Sequence, residues 1–156
     1  MGNQITLKIN QVHKSFPGLE RPVLNNISLT VKSAEKIAIT GVSGSGKSTL
    51  LHLMAGLEMP DSGQVTLLGN DLATLNSSEL SILRNKCLGF MYQFHHLMPD
   101  FTAFENIIMP FTIRAGGEQD YNSKFNKIIN KLGLENRINH FPHELSGGQR
   151  QRVSIA

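Results

Sequence analysis

Ile37-Ala38-Ile39-Thr40-Gly41-Val42-Ser43-Gly44-Ser45-Gly46-Lys47-Ser48-Thr49-Leu50-Leu51 sets a short apolar run against a glycine-rich loop and then a return of leucines. Residues 41–48 fit the spacing G-x-x-x-x-G-K-[ST], in which bare backbone amides, a lysine and a hydroxyl suit the phosphates and magnesium of a nucleoside triphosphate. Gly41, Gly44 and Gly46 can take backbone angles closed to other residues, so that the peptide N–H groups between them, those of Ser43 and Ser45 included, turn toward phosphate oxygens. Lys47 is placed to neutralise β- and γ-phosphate charge. Ser48 and Thr49 open the following helix, whose positive end favours an anion, with the Ser48 hydroxyl set to ligate Mg2+. The competing reading is a glycine-rich turn with no ligand, and the context opposes it. The run 37–39 is continuous enough for a strand buried on both faces, and Leu50, Leu53, Met54 and Leu57 keep helical spacing until Gly56 and Pro60. The loop therefore predicts ATP or GTP binding.

Upstream, Ile5, Leu7 and Ile9 alternate with polar residues, as do Ile27, Leu29 and Val31, which predicts an antiparallel opening layer. Downstream, Pro60-Asp61-Ser62-Gly63 reads as a turn, 65–68 as a strand, and Asn76 with Glu79 as a capping pair for a helix carrying Leu80 and Leu83. Residues 87–92 return to strand character. From Phe104 the chain turns helical, and Tyr121, Phe125, Ile128, Ile129 and Leu132 line one face of a helix stopped by Gly133. No repeat, low-complexity tract or linker divides the sequence, so any second lobe is an insertion between strands.

The 156 residues, 40% apolar, are enough to bury one ordinary core. Fifteen basic and twelve acidic residues give a net charge of +3, scattered rather than clustered, which excludes a nucleic-acid stripe. The single cysteine, Cys87, rules out an internal disulfide and is expected as a small buried residue. No stretch reaches the ~18 to 20 apolar residues of a membrane span, and the start lacks the order of a signal peptide. Met1-Gly2-Asn3-Gln4-Ile5-Thr6 satisfies a bare acylation pattern, which is outweighed by the strand beginning at Ile5.

A second motif, Leu145-Ser146-Gly147-Gly148-Gln149, has a bland account: Ser146 and Gln149 form a capping box that starts a helix. Two adjacent glycines at a helix start also leave an anion site bare. Together with residues 41–49, this segment resembles the ATP-binding cassette (ABC) transporter ATPase family. The resemblance implies an α/β P-loop NTPase of the ABC type, with an N-terminal antiparallel β layer, an inserted helical subdomain and C-terminal core strands missing. Residues 1–156 would then be a single partial domain, with 1–93 as β layer plus P-loop core and 94–156 as the helical, signature-bearing part. It also implies that Gln93, after Phe90-Met91-Tyr92, contacts Mg2+ and the attacking water, that Phe16 stacks on adenine, and that Lys47 and Gln93 are the catalytic residues. Ordinary loop and core-packing roles remain the alternatives for Gln93 and Phe16.

A narrower resemblance, carried by Tyr92-Gln93-Phe94-His95-His96-Leu97-Met98-Pro99-Asp100-Phe101-Thr102-Ala103-Phe104-Glu105-Asn106 and by His140-Phe141-Pro142-His143-Glu144-Leu145, is to the ATPase subunit of bacterial lipoprotein-releasing (Lol-type) exporters. It implies that the stretch 94–102, from Phe94 through Thr102, docks on membrane-spanning subunits. A second copy would close head to tail, so that Ser146, Gly147, Gly148 and Gln149 cap the partner's ATP at the cytoplasmic face of the inner membrane. A metal site from His95, His96, His140 and His143 lacks ligand spacing on any one element.

Phosphoryl transfer also needs an acidic anchor for magnesium and a residue to orient water. In the family these follow the signature helix, whereas this sequence stops at Ala156; Asp71, after the strand at 65–68, is offset and reads as a turn. The expectation is nucleotide binding without appreciable hydrolysis by these residues alone, and marginal stability or self-association. The alternatives are a non-catalytic remnant, the ATPase of a peptide or antimicrobial exporter, and a soluble ABC protein of translation or DNA repair. The last needs a second cassette or a coiled-coil insertion that this length does not hold.

Overall fold

The computed structural model describes residues 4–92, 95–113 and 121–156, the side chains of Tyr121 and Asn122 excepted. Strands β1 (Ile5–Lys14), β2 (Leu24–Lys32), β3 (Ser62–Leu67) and β4 (Asn70–Asp71) form one antiparallel sheet in the order β2-β1-β3-β4. The opening layer expected from the alternating residues is present, and β1 runs beyond Ile9 to Lys14. Leu7 pairs with Val31 and Leu67, and Ile9 with Leu29 and Val65, so the inward apolar residues of three strands stack in rows.

Between Ile9 and Val12 the register slips, with Gln11 at φ 48°. One extra residue reverses which side faces inward, so Val12 and Lys14 turn into the core where the earlier alternation would have sent them outward. Gly63 is fitted to this bulge. Its φ is +89°, and a Cβ there would collide with the Gln11 carbonyl oxygen, so backbone approaches backbone where no side chain fits.

Helix α1 (Lys47–Met54) lays Leu50 and Leu53 on the sheet, joining Leu7, Ile9, Val12, Leu24, Val65, Leu67, Leu72 and Leu80 in one core. It ends in a Schellman motif, the N–H of Gly56 bonding the Leu53 carbonyl and that of Leu57 the His52 carbonyl. Leu57 therefore leaves the helical face and is exposed. The β3–β4 hairpin turns through Leu68 (φ 48°) and Gly69 (φ 84°), both positive as a type I′ turn requires. Helix α2 (Ser77–Cys87) starts at the expected capping box: Asn76 Oδ1 accepts from the Ser78 and Glu79 N–H groups, and Glu79 accepts from the Asn76 N–H.

Three sequence expectations fail. Residues 37–39 form no strand, and Ile37 is 40% exposed while Ile39 only leans on the core. A strand exists only where a neighbour takes up its N–H and C=O groups, and among the described residues none pairs with this run. Residues 88–92 likewise form no strand; α2 continues to Cys87, which is exposed rather than buried.

The chain divides into two compact units, Met1–Leu88 and Gly89–Ala156. The second holds α3 (Ala103–Thr112), α4 (Tyr121–Leu132) and α5 (Gly147–Ile155) around Ala103, Ile107, Phe125, Ile129, Leu134, Leu145 and Val153. Phe125 and Ile129 lie on the apolar face expected for α4, and Phe104 meets Phe125 edge-on at 5.1 Å. Gly133 stops α4 with a second Schellman motif. Among the described residues no helix is long and apolar enough to cross a membrane.

Candidate functional site

The loop 41–49 is exposed apart from Gly46, which is buried, and Lys47 and Thr49, which are half-buried; Val42 is 79% exposed. Gly44 at φ 79° and Gly46 at φ 86° alternate with ordinary residues, the pattern that turns successive amides toward one side. Gly46 caps α1 in the left-handed conformation, with no side-chain hydrogen bond at the cap and no acidic residue in the first turn. The first-turn amides thus keep their positive field undiminished. A Cβ on Gly46 would come within 2.9 Å of the Val23 carbonyl oxygen, so the loop is seated against the start of β2.

Lys47 Nζ donates to the carbonyls of Gly41 (2.9 Å) and Val42 (2.7 Å). The ammonium thereby ties the first residues of the loop to its last, and one of its three protons remains for an outside acceptor. Ser48, at the second position of α1, is exposed. The set fits a triphosphate. It offers magnesium one hydroxyl, compatible with an ion that keeps several waters.

Phe16 follows β1 and is 37% exposed, with the Lys14 ammonium 5.3 Å from its ring centroid. Gln93 and Phe94 lie outside the described residues. Asp71 has a local role: its Oδ1 accepts from the Ala73 N–H at 3.1 Å and its Oδ2 from Gln64 Nε2 at 2.7 Å.

In the second unit Ser146 is the N-cap of α5. Its Oγ accepts from the Gln149 N–H (3.3 Å) and Gln149 Oε1 accepts from the Ser146 N–H (2.8 Å), so the capping box exists. Leu145 anchors it in the core. A Cβ added to Gly147 or Gly148 would meet nothing within 4 Å, and neither has positive φ. No steric need inside the described chain requires glycine at either place. Both keep the helix start bare.

Of the stretch 95–102, Leu97 turns into the second core, while Pro99, Asp100 and Phe101 are exposed. Asn106, the last residue of the stretch that carries the narrower resemblance, fastens this segment, a role its position in the sequence did not disclose: its Oδ1 accepts from the Met98 N–H at 2.8 Å, and its Nδ2 donates to the carbonyls of Met98, Phe101 and Thr102. The Glu105 carboxyl is held below its ordinary value by the Thr102 N–H. Arg152 binds the Leu132 carbonyl at 2.9 Å, joining α5 to the end of α4. His140 Nε2 lies 3.2 Å from the Arg137 guanidinium and His143 stacks on Phe141, so each is engaged apart from the other.

The family model described as ABC transporter matches residues 24–156. The chain is 46% identical over 158 aligned residues to the lipoprotein-releasing system ATP-binding protein LolD of Wigglesworthia glossinidia brevipalpis, covering all of this chain and 69% of that protein. With the LolD of Psychrobacter arcticus it shares 48% over 153 residues, 96% of this chain and 68% of the relative. Among solved structures it superposes on the dimeric post-hydrolysis state of the ATP-binding cassette MJ0796 bound to ADP and Pi (TM-score 0.83). It also superposes on a dimeric structure of MJ0796 described as a bacterial ABC transporter cassette (TM-score 0.84). Each is 34% identical, with 96% of this chain and 67% of the other covered. With the phosphate loop, the bare-glycine helix start and these relatives in agreement, the chain belongs to the ABC transporter family.

Proposed function

We propose that this chain is the ATP-binding subunit of an ABC exporter that releases lipoproteins from the inner membrane. Residues 1–156 form one partial ABC ATPase domain, with 1–93 as its β-layer-plus-loop part and 94–156 as its helical part. The loop from Gly41 to Thr49 holds the triphosphate. Lys47 directs its remaining N–H at the β- and γ-phosphate oxygens as a hydrogen-bond donor, the first-turn amides of α1 meet the same oxygens, and Ser48 with Gln93 would hold Mg2+. Bound magnesium supplies charge neutralisation across the phosphates. Phe16 stacks on adenine. In a homodimer Ser146, Gly147, Gly148 and Gln149 face the nucleotide of the other copy, and the stretch 94–102 rests on the membrane-spanning subunits at the cytoplasmic face.

What carries this reading is the ammonium of Lys47, drawn into the loop by two carbonyls with one proton unspent beneath a helix start that no side chain caps. Titration of the purified chain with MgATP should give saturable binding. Lys47→Ala should weaken it about tenfold to a hundredfold, the worth of one charge-assisted hydrogen bond. Folded protein with no saturable signal overturns the proposal. For the docking role, Phe101→Asp should release the protein from membranes carrying the partner subunits while leaving ATP affinity intact.

A second reading concerns turnover. Asp71, the acid that follows β3, is committed to a cap and to Gln64, which favours nucleotide binding without appreciable hydrolysis by these residues on their own. Magnesium-dependent phosphate release that Lys47→Ala abolishes would defeat it.

A further inference from the structure

We propose that Lys14 is a positioning residue that holds the base-binding ring in fixed relation to the phosphate-binding helix. The inference rests on the reading of Phe16 as the adenine platform. The bulge at Gln11 turns Lys14 inward until only 9% of it is exposed. There its ammonium donates to the Met59 carbonyl at 2.8 Å, pairs with Glu58 Oε1 at 2.8 Å and Asp61 Oδ1 at 3.4 Å, and lies 5.3 Å from the centre of the Phe16 ring.

The partners belong to two segments. Glu58 and Met59 follow the Schellman turn of α1, the helix whose first residue is Lys47, and the Glu58 N–H bonds the His52 carbonyl in that helix. Asp61 holds the other segment: its Oδ2 accepts from the Ser15 N–H at 2.6 Å, and its own N–H donates to the His13 carbonyl at 2.9 Å. Residues 13–16 are thereby clamped to the segment after α1 by the Lys14 cation and by the two Asp61 hydrogen bonds. A buried lysine matched to carboxylates adds little net stability compared with an apolar core. What the arrangement does supply is a fixed distance between ring and phosphate loop, with the cation over the ring of a residue that stays 37% exposed.

The test compares two ligands on the purified chain, MgATP and magnesium tripolyphosphate, which share the phosphates and differ in the base. Lys14→Met keeps the stem and removes the charge. It should lower MgATP affinity about three- to tenfold and leave tripolyphosphate affinity within about twofold. Lys14→Arg should restore most of the preference. Phe16→Ala, the control, should reduce only MgATP affinity.

If Phe16→Ala lowers MgATP affinity and Lys14→Met does not, the positioning role is wrong and the stacking role stands. If Phe16→Ala changes nothing, the stacking role fails and takes this inference with it. A parallel loss for both ligands in Lys14→Met shows a purely structural lysine and refutes the proposal. Should Lys14→Met not fold, Asp61→Asn, which leaves the Lys14–Glu58 pair, is judged by the same two ligands and the same criteria.

Discussion

Gly44 and Gly46 offer a controlled comparison within one loop. Both have positive φ, 79° and 86°, but the space around them differs: a Cβ on Gly44 would meet nothing within 4 Å, whereas one on Gly46 would lie 2.9 Å from Val23 Cγ1, 2.9 Å from the Val23 carbonyl oxygen and 3.0 Å from Leu24 Cδ2. Gly44→Ala should therefore cost only the left-handed conformation, about 1–2 kcal/mol. Gly46→Ala adds a clash with backbone that cannot readily yield, because Leu24 beside it pairs with Lys14 across the sheet. Overpacking of that kind adds about 1–3 kcal/mol, for a total of roughly 2–5 kcal/mol. Urea denaturation followed by far-UV circular dichroism, without nucleotide and at matched m-values, measures both. Equal costs, or a Gly46→Ala protein as stable as the wild type, would show that the loop is not seated against β2.

Gly63→Ala should be worse tolerated than Gly44→Ala, by more than about 1 kcal/mol in the same assay, because its Cβ would strike the Gln11 carbonyl that shapes the bulge. Ser146→Ala removes the acceptor for the Gln149 N–H and should cost about 1 kcal/mol, read as a lower thermal midpoint with the chain still folded. Acid should destabilise through Glu58 and Glu105. Glu58 is held below its ordinary 4.5 chiefly by the hydrogen bond to Lys14, and Glu105 by the Thr102 N–H, so their contribution is complete above 4.5 and is lost as pH falls through the lower folded values. Denaturation midpoints should decline below pH 4.5, with a smaller decline in Lys14→Met, where Glu58 has lost its partner. At the alkaline end Lys14 is raised above 10.5 chiefly by Glu58, so its contribution holds below 10.5 and fades as pH climbs beyond the folded value.

The parts of the fold that could be read from sequence are those whose forces act within a few residues. Asn76 and Glu79 satisfy each other's backbone across three positions, as do Ser146 and Gln149, and Gly56 and Gly133 end helices through bonds no longer than a turn. The runs 37–39 and 87–92 misled because apolar character says that a segment can be buried, while strand identity depends on a neighbour remote in sequence. In the one sheet described, every β1 residue that pairs finds its partner through such a neighbour: Ile9 needs Leu29 and Val65.

The site divides along the same line. The phosphate loop makes its geometry from consecutive residues, since Lys47 reaches carbonyls only five and six positions back, and a motif suffices to find it. What surrounds Phe16 is made from afar. Its cation arrives by a one-residue slip at Gln11, and the anions that fix that cation come from the far end of α1 and the turn into β3. One signal was present in the sequence: after Ile5, Leu7 and Ile9 the next apolar residue is Val12, not residue 11, and a three-residue step in a two-residue rhythm marks a bulge that sends the following even positions inward. Read that way, Lys14 is a charge directed into a core. A charge so placed must find partners nearby, so the Ile9-to-Val12 spacing already implied acids close to the end of β1, which Glu58 and Asp61 turn out to be.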